Sequence, residues 1–434
     1  MEDFNMNYKE RLEKVIPGGA HTYSRGSDQY PLNAPQILAK GEGAYVWDDR
    51  GQKYLDFGMA LRAITIGYGY KPVAEAAIRE IYNGNNLTRP SLIELEAAEI
   101  LCDLIPWVDM VKFAKNGSTV TTAAIKLSRA YTGKKMVARC LQHPFFSFDD
   151  WFIGDTPMDN GIPEEGKKLT VHFNYNDISS LELLFDQYPN QIACVMLEPA
   201  TTEEPKDNFL HKVKDLCHKN GAVFVLDEMI SGFRWNIQGA CKYYNIVPDL
   251  VTYGKGMANG FSVAALGGKR EIMELGGLNH DKERVFLIST THGAEMCGLG
   301  AFVETVKQYK KIGVVDQIKE SGSSLISGMN EIAKELGLSD YFKVIGTPYS
   351  PNYMTYDKNK EISLPLRTLF SQEMIKRGVL MPWIAMSWSH KQTEIEIALE
   401  AIHASLKVYK DALDSGVNNF LIGPSIKPVF RKYN

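Results

Sequence analysis

The chain has 434 residues, a formal net charge of −4 and an ordinary soluble composition, 44% hydrophobic and 23% charged. That length exceeds one simple core and calls for two domains, or one large domain with a lobe. The slight acidity gives no footing for nucleic acid or an anionic membrane surface, and no apolar run approaches membrane-spanning length.

The first residues, "MEDFNMNYKERLEK", are charged throughout and lack the apolar core of a signal peptide. Residues 8–16 are predicted as a short helix that stops at Pro17-Gly18-Gly19. "GAYVWDDRGQKYLDF" (43–57) reads as a hairpin, two apolar runs around Asp49-Arg50-Gly51. Residues 72–83 and 92–105 carry helical spacing. From about residue 110, short β-rich runs alternate with helices: "MVKFAK", "VTTAAIKLSRAYTG", "KMVARC", "IACVMLEP", "FLHKVKDLCHKNG", "AVFVLDE" and "DLVTYGK". Near-continuous apolar strands between amphipathic helices predict an α/β domain on a buried, mainly parallel sheet. Beyond about 310 helices dominate, with short strands such as "GVLMP". The expected division is an N-terminal segment at 1–70, a large domain at 71–310 and a C-terminal domain at 311–434, the two ends forming a smaller α/β lobe. The six cysteines are scattered with no C-x-x-C pair, which fits reduced thiols in a cytoplasmic protein.

Ligands of open α/β sheets bind at the carboxyl ends of the strands, so residues that close strands are the candidates. "VMLEP" closes on Glu198 and "VFVLDE" on Asp227-Glu228. "LVTYGK" closes on Lys255, a lysine between two glycines. "VKFAKNGST" ends in Asn116-Gly117-Ser118-Thr119 and opens a helix. Four consecutive strand–helix units would thus aim an anion site, carboxylates and a lysine at one edge. Free N–H groups at a helix start, with the hydroxyls of Ser118 and Thr119, suit a phosphate, although Ser and Thr there also serve as plain caps. Asp227 ends a buried strand and needs a cation or donors, either a structural partner such as Arg234 or a protonated ring nitrogen. A lysine aimed into a cavity can work as an amine nucleophile, and a solvated turn lysine is the alternative. No G-x-x-x-x-G-K-[ST] or G-x-G-x-x-G is present, so nucleoside triphosphates and dinucleotides lose their main support. Phosphate site, aspartate and terminal lysine together match the needs of pyridoxal 5'-phosphate.

Nearly end to end, the chain resembles the class III aminotransferases of fold type I (the aspartate aminotransferase fold), in particular their glutamate-1-semialdehyde aminomutase-like branch. "IPGGAHTYSRG" resembles that branch's Pro-Gly-Gly stretch, and "YVWDDRGQKYLDF" its "VWDxDGxxYxDF" hairpin. "LDEMISGFR" resembles "xDEVxTGFR", and "PDLVTYGKGMANGFSVAALGG" resembles "PDxxxxGKxxGxGxPxxAxGG". The resemblance implies that Lys255 is the Schiff-base lysine and that Asp227 pairs with the pyridine nitrogen. Met229 stands for the valine that packs on the ring, Glu198 lies near the cofactor, and Gly117, Ser118 and Thr119 form the phosphate loop. Thr291, with Thr290 as fallback, would reach a phosphate across a homodimer with shared active sites. Departures accompany these matches. The usual "NSGTEA" is "NGSTVT" (116–121). The ring-stacking "YHG" becomes "FFS" (145–147), with Phe145 as stacker, or "QHP" (142–144) in a second register. Arg62 replaces a small residue, as a surface arginine or as a clamp for a carboxylate or phosphate. Ser24 and Arg25 fall in the stretch that contacts the substrate acid. The expected function is transfer of an amino group between a donor and a small carbonyl acceptor. A glutamate-1-semialdehyde-type, intramolecular 2,1-aminomutase and a catalytically inactive binding or regulatory protein on the same fold are the alternatives.

Overall fold

The computed structural model describes residues 7–434. The chain forms two compact units. The first takes the described residues up to Leu61, Ile66–Gly69, and Asp316 to the end; the second takes Arg62–Thr65 and Tyr70–Val315.

The first unit opens with the helix Tyr8–Val15, whose start is closed by Asn7 and Glu10 in a reciprocal capping box. Strands β1 (Leu38–Glu42), β2 (Tyr45–Asp48) and β3 (Lys53–Asp56) follow as an antiparallel meander. The β2–β3 turn forms where Asp49-Arg50-Gly51 predict it. Its cause is local: the Asp48 carboxylate accepts the N–H groups of Arg50 and Gln52, and Gly51 supplies φ +82°.

In the second unit, β4 (Met110–Ala114), β5 (Met136–Cys140), β6 (Thr170–Phe173), β7 (Ile192–Leu197), β8 (Val223–Glu228), β9 (Leu250–Tyr253) and β10 (Ala264–Gly268) form one seven-stranded sheet. Its order is β4-β10-β9-β8-β7-β5-β6, and β10 alone runs against its neighbours. Every residue of β5, β7, β8, β9 and β10 is buried, which is why these strands read as unbroken apolar runs. The strands bearing the candidate residues are not four consecutive units. β10 separates β4 from β9, and β9 ends in a short 3-10 turn at Lys255–Ala258. The helix Gly117–Thr132 packs on the sheet through Val120, Ala124, Ile125 and Leu127. Gly133, at φ +69°, ends it in the left-handed conformation.

The second carboxylate of "LDE" has a structural task. Glu228 is fully buried and accepts the N–H groups of Ala240 and Cys241 and the hydroxyl of Ser231. Gly239, at φ +89°, lets the chain pass against it: a Cβ there would stand 2.6 Å from a Glu228 oxygen.

The first unit resumes after the second with β11 (Phe342–Ile345) pairing β12 (Asn352–Thr355), and β13 (Val379–Leu380) running parallel to β3. Phe342, Tyr353, Phe370 and Tyr409 form an aromatic core between these strands and the helices Leu364–Lys376 and Gln392–Ser415. Among the described residues, no helix is long and apolar enough to cross a membrane.

Glu228→Ala should strip three buried donors of their acceptor. Each unpaired group costs about 1–3 kcal/mol, so the urea midpoint of the second unit should fall sharply. A midpoint equal to wild type would show that the three donors find other partners.

Candidate active site

The second unit carries Lys255, Asp227, Glu198, Met229 and the 116–119 turn at the carboxyl ends of its strands. Parallel pairing sets the spacing. Leu197 pairs with Leu226, so Glu198 and Asp227 are the next neighbours along β7 and β8; Asp227 pairs with Thr252 of β9, three residues before Lys255.

Asp227 accepts the Met229 N–H at 2.8 Å and the Thr252 hydroxyl at 2.9 Å. Arg234 is not its partner; that guanidinium donates to the Arg62 carbonyl at 2.9 Å. Burial pushes the Asp227 carboxyl up, against the pull of Lys255 and of the two donors. A cation at this position would relieve the cost of burying the charge.

Lys255 follows Gly254 and itself takes φ +43°, unusual for a residue with a Cβ. The turn beyond it is pinned by Thr65, whose hydroxyl bonds the Gly256 carbonyl and whose N–H bonds the Asn259 side chain. Lys255 is enclosed by protein yet keeps some accessible surface. Its amine is held below the ordinary 10.5, by burial first, with Asp227 and Glu198 pulling up and the charges of Arg62 and Arg234 pressing down. The neutral, nucleophilic form therefore persists to lower pH than for a solvated lysine.

Asn116 caps the helix Gly117–Thr132 by accepting both the N–H and the hydroxyl of Thr119. The Ser118 hydroxyl accepts the Phe148 N–H at 3.1 Å. Both hydroxyls expected at a phosphate are thus engaged within the protein. Of the first-turn N–H groups, Asn116 takes that of Thr119; those of Gly117 and Ser118 lie at the same helix start, where the dipole favours an anion.

Met229 joins three of these elements. A Cβ on Gly117 would stand 3.0 Å from its Cε, and one on Gly254 would stand 2.2 Å from its Sδ. Its side chain therefore lies between the residue that opens the helix and the residue that precedes Lys255.

Phe145 is 47% exposed and meets Phe152 edge-on. His143, the alternative, is buried, and its Nδ1 accepts the Glu198 N–H at 2.9 Å. Burial, and then the charge of Arg139, hold His143 down to about 3, so it is neutral. Thr291 is exposed, and its carbonyl accepts from the Asn86 side chain. Arg62 belongs to this unit and acts electrostatically on Lys255 and Glu198, which places it with the candidate residues. Arg25 lies in the first unit, exposed on the lining of a cavity of about 630 Å³ that also includes Tyr30, Asp56, Tyr68 and Trp383; Ser24 does not line it.

Five hydrogen bonds escaped the sequence reading. The Arg234–Arg62 bond joins "GFR" to a loop 172 residues away. Asn85 and Asn86 hold the stretch at 291–297 through Glu295, Cys297 and Thr291, and His143 supports Glu198. A signal existed only for Arg234, as the last residue of a matched motif.

The "Aminotransferase class-III" family model matches residues 24–347. The chain is 33% identical to a glutamate-1-semialdehyde 2,1-aminomutase of Acetivibrio thermocellus over 75% of its own length and 78% of that protein. It is 30% identical to a 3-aminobutyryl-CoA aminotransferase of Cloacimonas acidaminovorans over 94% and 98%. Among solved structures, the pyridoxal-phosphate form of the FumI protein of Sphingopyxis sp. MTA144 superposes with a TM-score of 0.85 at 25% identity, covering 94% of this chain and 97% of that one. An omega-transaminase of Sphaerobacter thermophilus superposes at 0.84 and 24%, covering 93% and 97%. The mixed, mostly parallel sheet is thus that of fold type I. With the family model covering most of the chain, the protein belongs to the class III aminotransferases: it is a pyridoxal-phosphate-dependent aminotransferase or aminomutase.

The residues present fit that cofactor: a helix start for a phosphate, a buried carboxylate whose burial a ring cation would relieve, and an amine of lowered pKa. Because Met229 fills the gap beside Gly254, Gly254→Ala should displace it and weaken pyridoxal phosphate binding at least tenfold, measured by equilibrium titration of the cofactor-free protein. Unchanged affinity would show that Met229 gives no support to the ring.

Proposed function

We propose that the protein transfers an amino group from an amino donor to a separate small carbonyl acceptor, with Lys255 as nucleophile and proton carrier. The observation that carries this reading is the setting of Lys255, an amine of lowered pKa among Asp227, Glu198, Arg62 and Arg234. When bound, pyridoxal phosphate supplies the electron sink. The Gly117 and Ser118 N–H groups, with Thr119 beside them, hold its phosphate; Asp227 holds the ring nitrogen protonated; Met229 and Phe145 serve its two faces. Lys255 Nζ removes the proton from the amine-bearing carbon of the substrate and returns one on the reverse path. Arg62 binds an acidic group of the substrate.

A separate acceptor is favoured because the aminotransferase relative matches almost the whole chain, whereas the aminomutase of Acetivibrio thermocellus matches three quarters. Its 33% identity supports an intramolecular 2,1-aminomutase as the second reading. The two differ in one measurement. Given a donor alone, an aminotransferase releases one equivalent of carbonyl product and retains the amino group on its cofactor; an aminomutase releases an isomeric amine.

A homodimer is also proposed. Ile78, Ile81, Tyr82, Leu87, Leu92 and Leu95 are exposed apolar side chains flanking Asn85 and Asn86, which hold the Thr291 stretch. A second copy covering this face would bring Thr291 to the neighbouring phosphate. Six free cysteines suit a reducing compartment, which supports a cytoplasmic location.

Lys255→Ala should abolish the absorbance of lysine-bound cofactor and nearly all transamination while the fold persists. A reducible covalent adduct in that variant would move the nucleophile elsewhere. Arg62→Lys should raise KM for an acidic substrate by roughly tenfold to a hundredfold, the worth of one charge-assisted contact, with little change in cofactor occupancy. Unchanged kinetics with every acidic donor and acceptor would remove Arg62 from substrate binding.

A further inference from the structure

Residues 26–36 have little means of holding themselves in place. They run from the short 3-10 turn Ser27–Gln29 to β1 without a strand partner, and Pro31 and Pro35 lack an N–H. Within the segment the Gln29 N–H bonds the Gly26 carbonyl and the Ala34 N–H bonds the Pro31 carbonyl. Yet the segment builds one wall of the cavity of about 630 Å³ in the first unit, through Tyr30, Leu32, Ala34 and their neighbours. Whatever fixes this segment fixes the cavity.

Residues 420–431 supply most of the fastening. Both backbone groups of Lys427 are used: its N–H bonds the Asp28 carbonyl at 3.0 Å, and its carbonyl accepts from the Gln29 side chain at 3.0 Å. Arg431 donates to the Asp28 carboxylate at 2.6 Å. Gly423 lies against Leu32, where a Cβ on the glycine would stand 2.8 Å from the Leu32 Cβ. Pro424, from the same stretch, lines the cavity itself. The wall is also tied to the helix Tyr8–Val15 by two exposed bonds, the Ser27 hydroxyl to Glu13 at 3.1 Å and the Lys9 N–H to the Gln36 side chain at 3.2 Å.

The stretch is in turn seated on the helix Leu364–Lys376. Thr368 and Gln372 stand four residues apart on one face of it, and each is 1% exposed. Buried polar side chains need partners, and here the backbone of the stretch provides them. Gln372 donates to the Phe420 carbonyl and accepts the Ile422 N–H, both at 3.0 Å; Thr368 accepts the Ile426 N–H at 3.0 Å. The Gln372 carbonyl also accepts from the Asn33 side chain, so helix, stretch and wall meet at one residue.

We propose that residues 420–431 are a strap that gates the cavity: fastened, it holds residues 26–36 in place as a wall; released, it frees that wall and admits small molecules. The Asp28–Arg431 ion pair is its clasp. Both side chains of the pair are partly exposed, so it is the weakest fastening and the one that salt reaches. Gln372 is its anchor, and loss of that amide would leave two backbone groups of the strap unpaired. The gate involves the first unit alone and does not rest on the proposed transamination.

Val46 lines the cavity and is 3% exposed, so a thiol at that position reports access to it. In full-length Val46→Cys, N-ethylmaleimide should label position 46 slowly, and peptide mass mapping separates this thiol from the six native ones. Adding Arg431→Gln should speed the labelling about two- to fivefold, the worth of one partly exposed ion pair. Adding Gln372→Leu instead should speed it roughly tenfold or more. Salt at about 1 M should speed labelling of Val46→Cys and leave the protein that also carries Arg431→Gln level. Hydrogen exchange gives a second reading that needs no added cysteine: in Arg431→Gln, residues 26–36 and 420–431 should exchange faster together, while β7, β8 and β9 keep wild-type protection. Faster exchange confined to residues 420–431, or labelling at position 46 indifferent to both substitutions, would overturn the gate and leave the stretch as packing alone. Arg431→Gln changes a partly exposed side chain, so the outcome stands even where Gln372→Leu misfolds.

Discussion

Charge burial at the carboxyl ends of three neighbouring strands is the constraint on which the active site depends. β7, β8 and β9 are apolar along their length because helices and neighbouring strands exclude water from them. Each run then ends next to an ionisable group: Glu198, Asp227 and Lys255. None can be solvated as it would be on a surface, so each must be answered by the others, by donors or by a ligand. Arg62 and Arg234 add two positive charges to the same small volume. The phosphate of pyridoxal phosphate is one anion that class III chemistry brings here.

The sequence made the chemistry legible because chemistry here lies at the ends of apolar runs. Lys255 and Asp227 are conspicuous because a charge follows four buried residues, and the order of strands and helices along the chain shows α/β architecture for the same reason. Sheet order was not legible. β10 inserts between β4 and β9 by antiparallel pairing through Ala265, Leu266 and Gly267, residues that carry no pairing signal of their own. Nor was the support of Glu198 by His143, since a histidine before a proline reads as a loop residue until the fold buries it. The hydroxyls of Ser118 and Thr119 mark another limit. Sequence shows that they sit at a helix start, but only the structure shows them engaged by Phe148 and Asn116.

Shape adds a second tie between motifs that look independent in the sequence. Gly117 opens a helix, Gly254 precedes the lysine, and Met229 follows the aspartate; each glycine lacks the atom that would strike Met229. The exchange of Gly and Ser in "NGSTVT" is therefore compatible with packing. It places the glycine against the Met229 methyl group and the serine where its hydroxyl anchors Phe148.

The loop that carries Arg62 holds an unusual backbone conformation. Met59, Ala60, Leu61 and Arg62 all have positive φ, from 41° to 65°, and none is glycine. A left-handed residue with a Cβ costs roughly 1–2 kcal/mol, so four in succession are stable only where other contacts impose the conformation. In the first unit the buried Asp56 carboxylate accepts the N–H groups of Gly58 and Met59 and the Tyr68 hydroxyl, fixing the start of the run. In the second unit the buried Arg234 guanidinium bonds the Arg62 carbonyl, fixing its end. Arg234 thereby fixes the backbone at Arg62, and the charge of Arg62 acts on Lys255. A surface arginine would need neither the strain nor a buried cation to hold its carbonyl. Both make sense if the position of this one side chain matters to the reaction.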